Sequence, residues 1–216
     1  MGSIMSNKIC IFAQLAGGKD TVANYLVKQL NSRRRYLEDK WQRIGFADAL
    51  KKVFMSSFDV SWDFIEEWKR KDEVPPNFDL NIRKSLQQIG DGFRKIQSDV
   101  WIRTAIRNKF NMVISDGRYL NEAKMVREQG GFNILLWRPG FENNDPNPSE
   151  SQIKPFVDYF ANNCYQGTIN DLPILDPPFD GLQYFDYFLI NDGGLDDLYK
   201  RIDNSLIHDI GERGLL

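Results

Sequence analysis

Short apolar runs alternate with amphipathic segments along the chain. Residues 9–12 (Ile9, Cys10, Ile11, Phe12) are consecutively apolar, which suits a strand covered on both faces. After a small-residue turn, Val22, Leu26, Val27 and Leu30 recur at helical spacing. Residues 41–47 read as a second strand, and a helix starts directly after Asp48. Residues 54–78 read as helical in part, with Phe58, Trp62, Phe64, Ile65 and Trp68 as packing residues, until Pro75 and Pro76 break the segment. Residues 80–97 predict an amphipathic helix with Ile82, Leu86, Ile89 and Phe93 on one face, and 99–110 predict another with Trp101, Ile102, Ala105 and Ile106 turned inward. Residues 111–115 form a third apolar strand, 121–129 a helix closed by Gly130 and Gly131, and 132–137 a fourth strand. Residues 141–181 lose the helical period and are rich in Pro, Asn and Asp. A tract of that length in a compact domain is a functional lid or is disordered. Residues 184–190 are a fifth strand, and 195–207 a closing helix.

Such alternation calls for an α/β fold, a five-stranded parallel sheet with helices on both faces. The expected organisation is one domain over 1–216. Its core is 7–47, 111–138 and 183–216, with a helical substrate-side insertion at 48–110 and a lid or insertion at 139–182.

Composition narrows the class. The 216 residues are 42% hydrophobic and 27% charged with net charge −2, which suits a soluble domain and argues against a dedicated nucleic-acid binder. No apolar run approaches the ~20 residues of a membrane span, and residues 1–6 do not read as a secretion signal. The two cysteines, Cys10 in a core strand and Cys164 in a late loop, make no disulfide framework and fit a reducing cytoplasm. One histidine, His208, makes His-based catalysis improbable. Nothing in the pattern decides between monomer and homodimer.

The turn after the first strand concentrates the chemistry. Ala16, Gly17 and Gly18 precede Lys19, Asp20 and Thr21 at the start of the helix. Strand, glycine-rich turn, lysine and helix make a phosphate-binding loop, because loop amides and a helix N-terminus favour an anion at one spot. In GxxxxGK followed by Ser or Thr, Ala13 stands at the first Gly and Asp20 at the hydroxyl residue; a carboxylate there still holds magnesium. The third strand runs into Asp116-Gly117-Arg118. A strand-end carboxylate orders magnesium, and an arginine two residues on forks onto phosphate. Each has a plainer reading: Asp116 as a helix cap, Arg118 as a surface ion pair, and Asp48 as an N-cap or a substrate contact. Arg83, Gln87 and Arg94 line another part of the fourth helix's surface, as substrate contacts or as ordinary exposed residues. Arg138 follows the fourth strand at the entry of the lid.

Taken in order, GGKDTVANYL, VISDGRYLNEA, WRPGFENNDPNPSE and FLINDGGLDDLYKRI, with a weaker match at RKSLQQIGDGFRKIQSDVWI, resemble the bacteriophage deoxynucleoside monophosphate kinases of the P-loop nucleoside monophosphate kinase-like group. The likeness covers most of the chain apart from about 162–182. It implies a P-loop NTPase-type fold and transfer of the γ-phosphoryl of ATP to a deoxynucleoside 5′-monophosphate with Mg²⁺, in the cytoplasm (the host's, if phage-encoded). By motif, Lys19 and the Gly17 and Gly18 amides would hold donor phosphates, with Ala16 in the same loop. Asp20 and Thr21 would lie at the metal and phosphates, Asp116 would be the strand-end metal carboxylate, Arg118 a phosphate contact, and Asn191, Asp192 and Gly193 would flank the adenine. Ala13 and Asn147, where relatives often carry Gly and His, depart from the pattern. Two other readings use the same residues: a kinase of another phosphorylated acceptor such as dephospho-coenzyme A or phosphomevalonate, or a nucleotide-binding protein without catalysis.

Overall fold

The computed structural model describes residues 7–33, 40–71, 73–107, 110–141, 151–163, 165–169 and 180–216. It forms two compact units, Met1–Ile44 with Lys109–Leu216, and Gly45–Asn108. Expectations placed on residues 1–6, on Asn147 and the rest of 142–150, on Cys164 and on 170–179 lie outside the described residues.

The first unit is built on one sheet of strands β1 (Lys8–Ala13), β2 (Trp41–Ile44), β3 (Asn111–Gly117), β4 (Phe132–Trp137), β5 (Gly167–Thr168) and β6 (Tyr187–Ile190). Their order is β2-β3-β1-β4-β6-β5. The five long strands are parallel, as the apolar runs predict. The addition is β5, two residues antiparallel to β6, too short for any periodicity to mark. From β1 the chain passes over β3 to reach β2, whereas from β4 it runs the other way to β6. Connections of adjacent strands that leave in opposite directions open a crevice at the strands' carboxyl ends.

Helices cover both faces of this sheet. The odd residues of β1, Ile9, Ile11 and Ala13, pack with Val22, Ala23, Leu26 and Leu30 of α1 (Lys19–Ser32) and with Leu198, Ile202, Leu206 and Ile210 of the C-terminal helix. That helix comprises α8 (Leu195–Arg201), a π turn over Ile202–Leu206 and α9 (Ile207–Glu212), so it continues beyond the predicted end at 207. On the opposite face Phe12 meets Phe185 edge-on, and Phe156 and Phe160 of α7 (Lys154–Asn162) pack on Phe185 and Phe188.

Helix α7 corrects one expectation. The 141–181 tract reads as lacking helical period, yet Ile153, Phe156, Val157 and Phe160 are spaced three or four apart and are all buried. Pro155 sits in the first turn, where a missing amide costs nothing. Residues Lys154–Asn162 of the tract are therefore a helix packed against the sheet.

A buried charge cluster ties the late elements together. Asp186 is fully buried; its carboxylate accepts the Asn133 amide at 2.8 Å and pairs with Arg127 of α6 (Leu120–Glu128) and, at 3.0 Å, with Arg213. Burial pushes its carboxyl up, opposed by the amide and the two guanidinium groups.

The second unit contains α2 (Ala47–Phe58), α3 (Trp62–Trp68), α4 (Ile82–Ile96) and α5 (Val100–Ile106). Phe54, Phe58, Phe64 and Phe78 make a ring cluster. Trp62, Phe64 and Trp68 are half-buried rather than core. In α4 the buried line is Ile82, Leu86 and Gly90. Phe93 is 40% exposed and packs on Trp101. Gly90 takes the inner position because a Cβ there would meet Leu50 and the Arg94 guanidinium, each at 3.3 Å.

Candidate active site

The residues after β1 form a tight turn. The Gly17 amide donates to the Gln14 carbonyl at 3.2 Å, Ala16 adopts φ 61°, and Gly18 adopts φ 92° immediately before α1. Gly18 is required there twice over. The left-handed backbone favours glycine, and a Cβ would come within 2.7 Å of Asn191 Nδ2. Ala13, in place of the first motif glycine, is fully buried in β1, with its Cβ 3.1 Å from where a Cβ on Gly17 would lie. The turn accommodates Ala13 because Gly17 is small. Lys19, Asp20 and Thr21 make the first turn of α1, where the amides have no intrahelical acceptor.

Two side chains from the far strands converge on this turn. Asn191, directly after β6, donates from Nδ2 to the Gly17 carbonyl at 3.2 Å. Arg138, directly after β4, reaches the Ala16 carbonyl with Nη1 at 3.5 Å and lies 3.9 Å over the Phe141 ring. Asn191 thus supports the loop in addition to any contact with a base. Asp192 pairs with Arg201 at 2.7 Å, and Arg201 also donates to the Ile190 carbonyl at 2.9 Å. A Cβ on Gly193 would meet Asp197 Oδ2 at 2.9 Å, so the 191–194 turn lies close against the start of α8.

Strand β3 extends through Asp116 to Gly117, two residues beyond the expected end. Against β1, Cys10 pairs with Ile114 but Phe12 with Gly117, so β3 carries one extra residue at Ser115–Asp116. A bulge of this kind re-aims side chains at a sheet's end. Gly117 is fixed by packing, since a Cβ would lie 2.7 Å from the Phe12 ring. Asp116 is not the N-cap of α6, because Glu122, itself buried, accepts the Arg118 and Tyr119 amides at 2.7 and 3.0 Å. Burial first, then the nearby Glu122 and Asp116 carboxylates, push the Cys10 thiol well up.

Sequence reasoning missed Arg43. From β2 its guanidinium donates from Nε to Ser115 Oγ at 3.0 Å, from Nη1 to Asn24 Oδ1 at 3.1 Å and from Nη2 to Asp20 Oδ1 at 2.5 Å. An arginine inside a four-residue strand carries no motif. Its meaning depends on β2 lying beside β3, which the strand order alone reveals.

In the second unit, Asp48 lies in the first turn of α2, accepts the Gly45 amide at 2.7 Å and is 3.4 Å from Lys51. The N-cap of α2 is Phe46 and the helix starts at Ala47, so Asp48 is not the N-cap; it lies inside the first turn and holds the Gly45 amide that precedes the helix. Arg83, Gln87 and Arg94 are half-buried along α4, and Arg94 lies 3.3 Å from Asp91.

Asp20, in the first turn of α1, and Asp116, at the carboxyl end of β3, carry oxygen donors of the kind that could hold a magnesium ion. Lys19, Arg118 and Arg138 supply positive charge from the same edge of the first unit, an arrangement able to hold a polyphosphate.

No family model matches the chain. Among solved structures, a "putative kinase" from Chloroflexus aurantiacus aligns with 96% of this chain and 100% of its own, at 13% identity and a TM-score of 0.35. A protein of Acanthamoeba polyphaga mimivirus, named "Putative deoxynucleotide monophosphate kinase", is 30% identical over 162 residues, 66% of this chain and 79% of the relative. With that identity and coverage, the chain belongs to the same kinase family as its mimivirus relative.

Proposed function

We propose that this kinase transfers the γ-phosphoryl of Mg-ATP to a deoxynucleoside 5′-monophosphate. The observation that carries the reading is the convergence of Arg138 and Asn191 on the Ala16–Gly18 turn that opens α1 at Lys19. The mimivirus relative's name supports the acceptor class.

Phosphoryl transfer needs positioning and charge stabilisation more than proton transfer, since the acceptor phosphate is already anionic. Lys19 and the loop amides hold the β- and γ-phosphates. Arg138 and Arg118 offset charge on the transferring group. Asp116 and the Asp20 carboxylate, through the oxygen that Arg43 does not hold, would bind a magnesium ion that would offset charge on the phosphate oxygens. Arg83, Gln87 and Arg94 are the acceptor-side candidates. No side chain is asked to act as a general base, in keeping with a chain whose only histidine, His208, is exposed near the C-terminus.

The test is ADP release from Mg-ATP with dAMP, dCMP, dGMP, dTMP, dUMP and AMP offered separately, with dephospho-coenzyme A as a further acceptor. Release with one or more deoxynucleotides is expected. Release only with dephospho-coenzyme A would overturn the acceptor class. No release from folded, ATP-binding protein would overturn catalysis.

A further inference from the structure

Asp20 is an awkward residue in a phosphate loop. It occupies the first turn of α1, one residue past Lys19, where a hydroxyl would be neutral and a carboxylate adds negative charge beside a polyphosphate. The structure supplies a counter-charge from another strand. Arg43 Nη2 lies 2.5 Å from Asp20 Oδ1, while Nη1 and Nε are held by Asn24 and Ser115. The guanidinium is thereby fixed at three points: Asp20 and Asn24, one turn apart on α1, and Ser115, the residue before Asp116. A planar fork used this way sets orientation as well as charge.

We propose that Arg43 is a positioning residue that neutralises and orients Asp20, so that this loop accepts a polyphosphate despite the carboxylate at its hydroxyl position. Arg43 acts through Asp20 and not on the nucleotide. The pair is largely exposed, with side chains 37% and 57% accessible, so it contributes little to folding. Its consequence is for ligand binding. The inference rests on the reading of 13–21 as the donor-phosphate loop.

The test is a double-mutant cycle read by calorimetric binding of Mg-ATP, with thermal unfolding as a check on the fold. Arg43→Ala alone is expected to weaken Mg-ATP binding by about tenfold, the effect of an uncompensated charge close to phosphate. In the Asp20→Ser background the same change is expected to alter binding less than about threefold, because the carboxylate it offsets is gone. Arg43→Lys keeps the charge without the fork and is expected to recover part of the loss. The thermal midpoint of Arg43→Ala should stay close to that of the parent. Equal losses in both backgrounds would overturn the proposal, since Arg43 would then bind nucleotide directly or serve only the fold. No loss in either background would overturn it too. Lys19→Ala in the same assay separates the two layers: if it leaves Mg-ATP binding intact, the phosphate-loop reading itself fails; if it abolishes binding while the cycle shows no coupling, only the role of Arg43 fails.

Discussion

Lys19 is the residue on which the functional reading is most exposed to refutation. It begins α1 directly after the turn and is half-buried there. Lys19→Ala is therefore expected to remove turnover, by about 100-fold or more, while leaving the far-UV spectrum and unfolding midpoint near the parent values. Full activity in a folded Lys19→Ala protein would refute the assignment. Gly18 offers a second, geometric check. With φ 92° and Asn191 Nδ2 2.7 Å from a notional Cβ, Gly18→Ala must shift either the turn or Asn191. The expected result is weaker Mg-ATP binding, measured by calorimetry, with Asn191→Gly in the same protein relieving part of the loss. Both lysine and glycine were legible from sequence, because the loop is local and its spacing survives without knowledge of the fold. Arg43 and Glu122 were not legible. Arg43 finds its partners on α1 and β3, Glu122 on backbone amides, and their spacing matches no motif.

Among the elements, α7 tests how the 139–182 tract is used. Phe160 is fully buried, 5.1 Å from the Phe188 ring and 5.7 Å from Tyr165. Phe160→Ala is expected to cost about 3–5 kcal/mol, the range for deleting a large buried aromatic, as read by denaturant unfolding. A loss near zero would mean that α7 detaches as a lid would. The apolar spacing of α7 was present in the sequence but was outweighed by the prolines around it. Pro155 misleads because proline is tolerated in the first helical turn, so a proline count over a long tract does not discriminate loop from helix start. Strand β3 errs in the other direction: Asp116 and Gly117 look like a strand's end, yet parallel pairing with β1 carries them inside it, with a bulge to absorb the extra residue.

For the whole molecule, β6 links stability to pH. Tyr187 is fully buried, and burial pushes its hydroxyl up to about 12. An unfolded chain would lose that proton near pH 10 while the fold retains it. Stability from this group is thus fully present below about pH 10 and falls as pH rises toward 12, by on the order of 2 kcal/mol. Denaturant unfolding at pH 9, 10 and 11 should show the decline, and Tyr187→Phe should lack this share of it. An identical slope in the variant would show that other groups carry the dependence. The described helices include none long and apolar enough to cross a membrane.

The alternation of apolar runs and amphipathic segments was enough to establish a parallel α/β sheet and to place the Ala16–Gly18 turn before α1, because strand burial and helix faces follow from residue spacing over a few turns of chain. Strand order was not available from that pattern. Only the assembled sheet sets β2 beside β3 and so carries Arg43 to Asp20, and sets β4 and β6 on the far side of β1, so that Arg138 and Asn191 reach one turn. It likewise gathers Arg127 and Arg213 around Asp186, from positions 59 and 27 residues away along the chain. Such pairs satisfy charge and hydrogen-bonding demands that arise only when strands distant in sequence become neighbours, and a one-dimensional pattern holds no record of them.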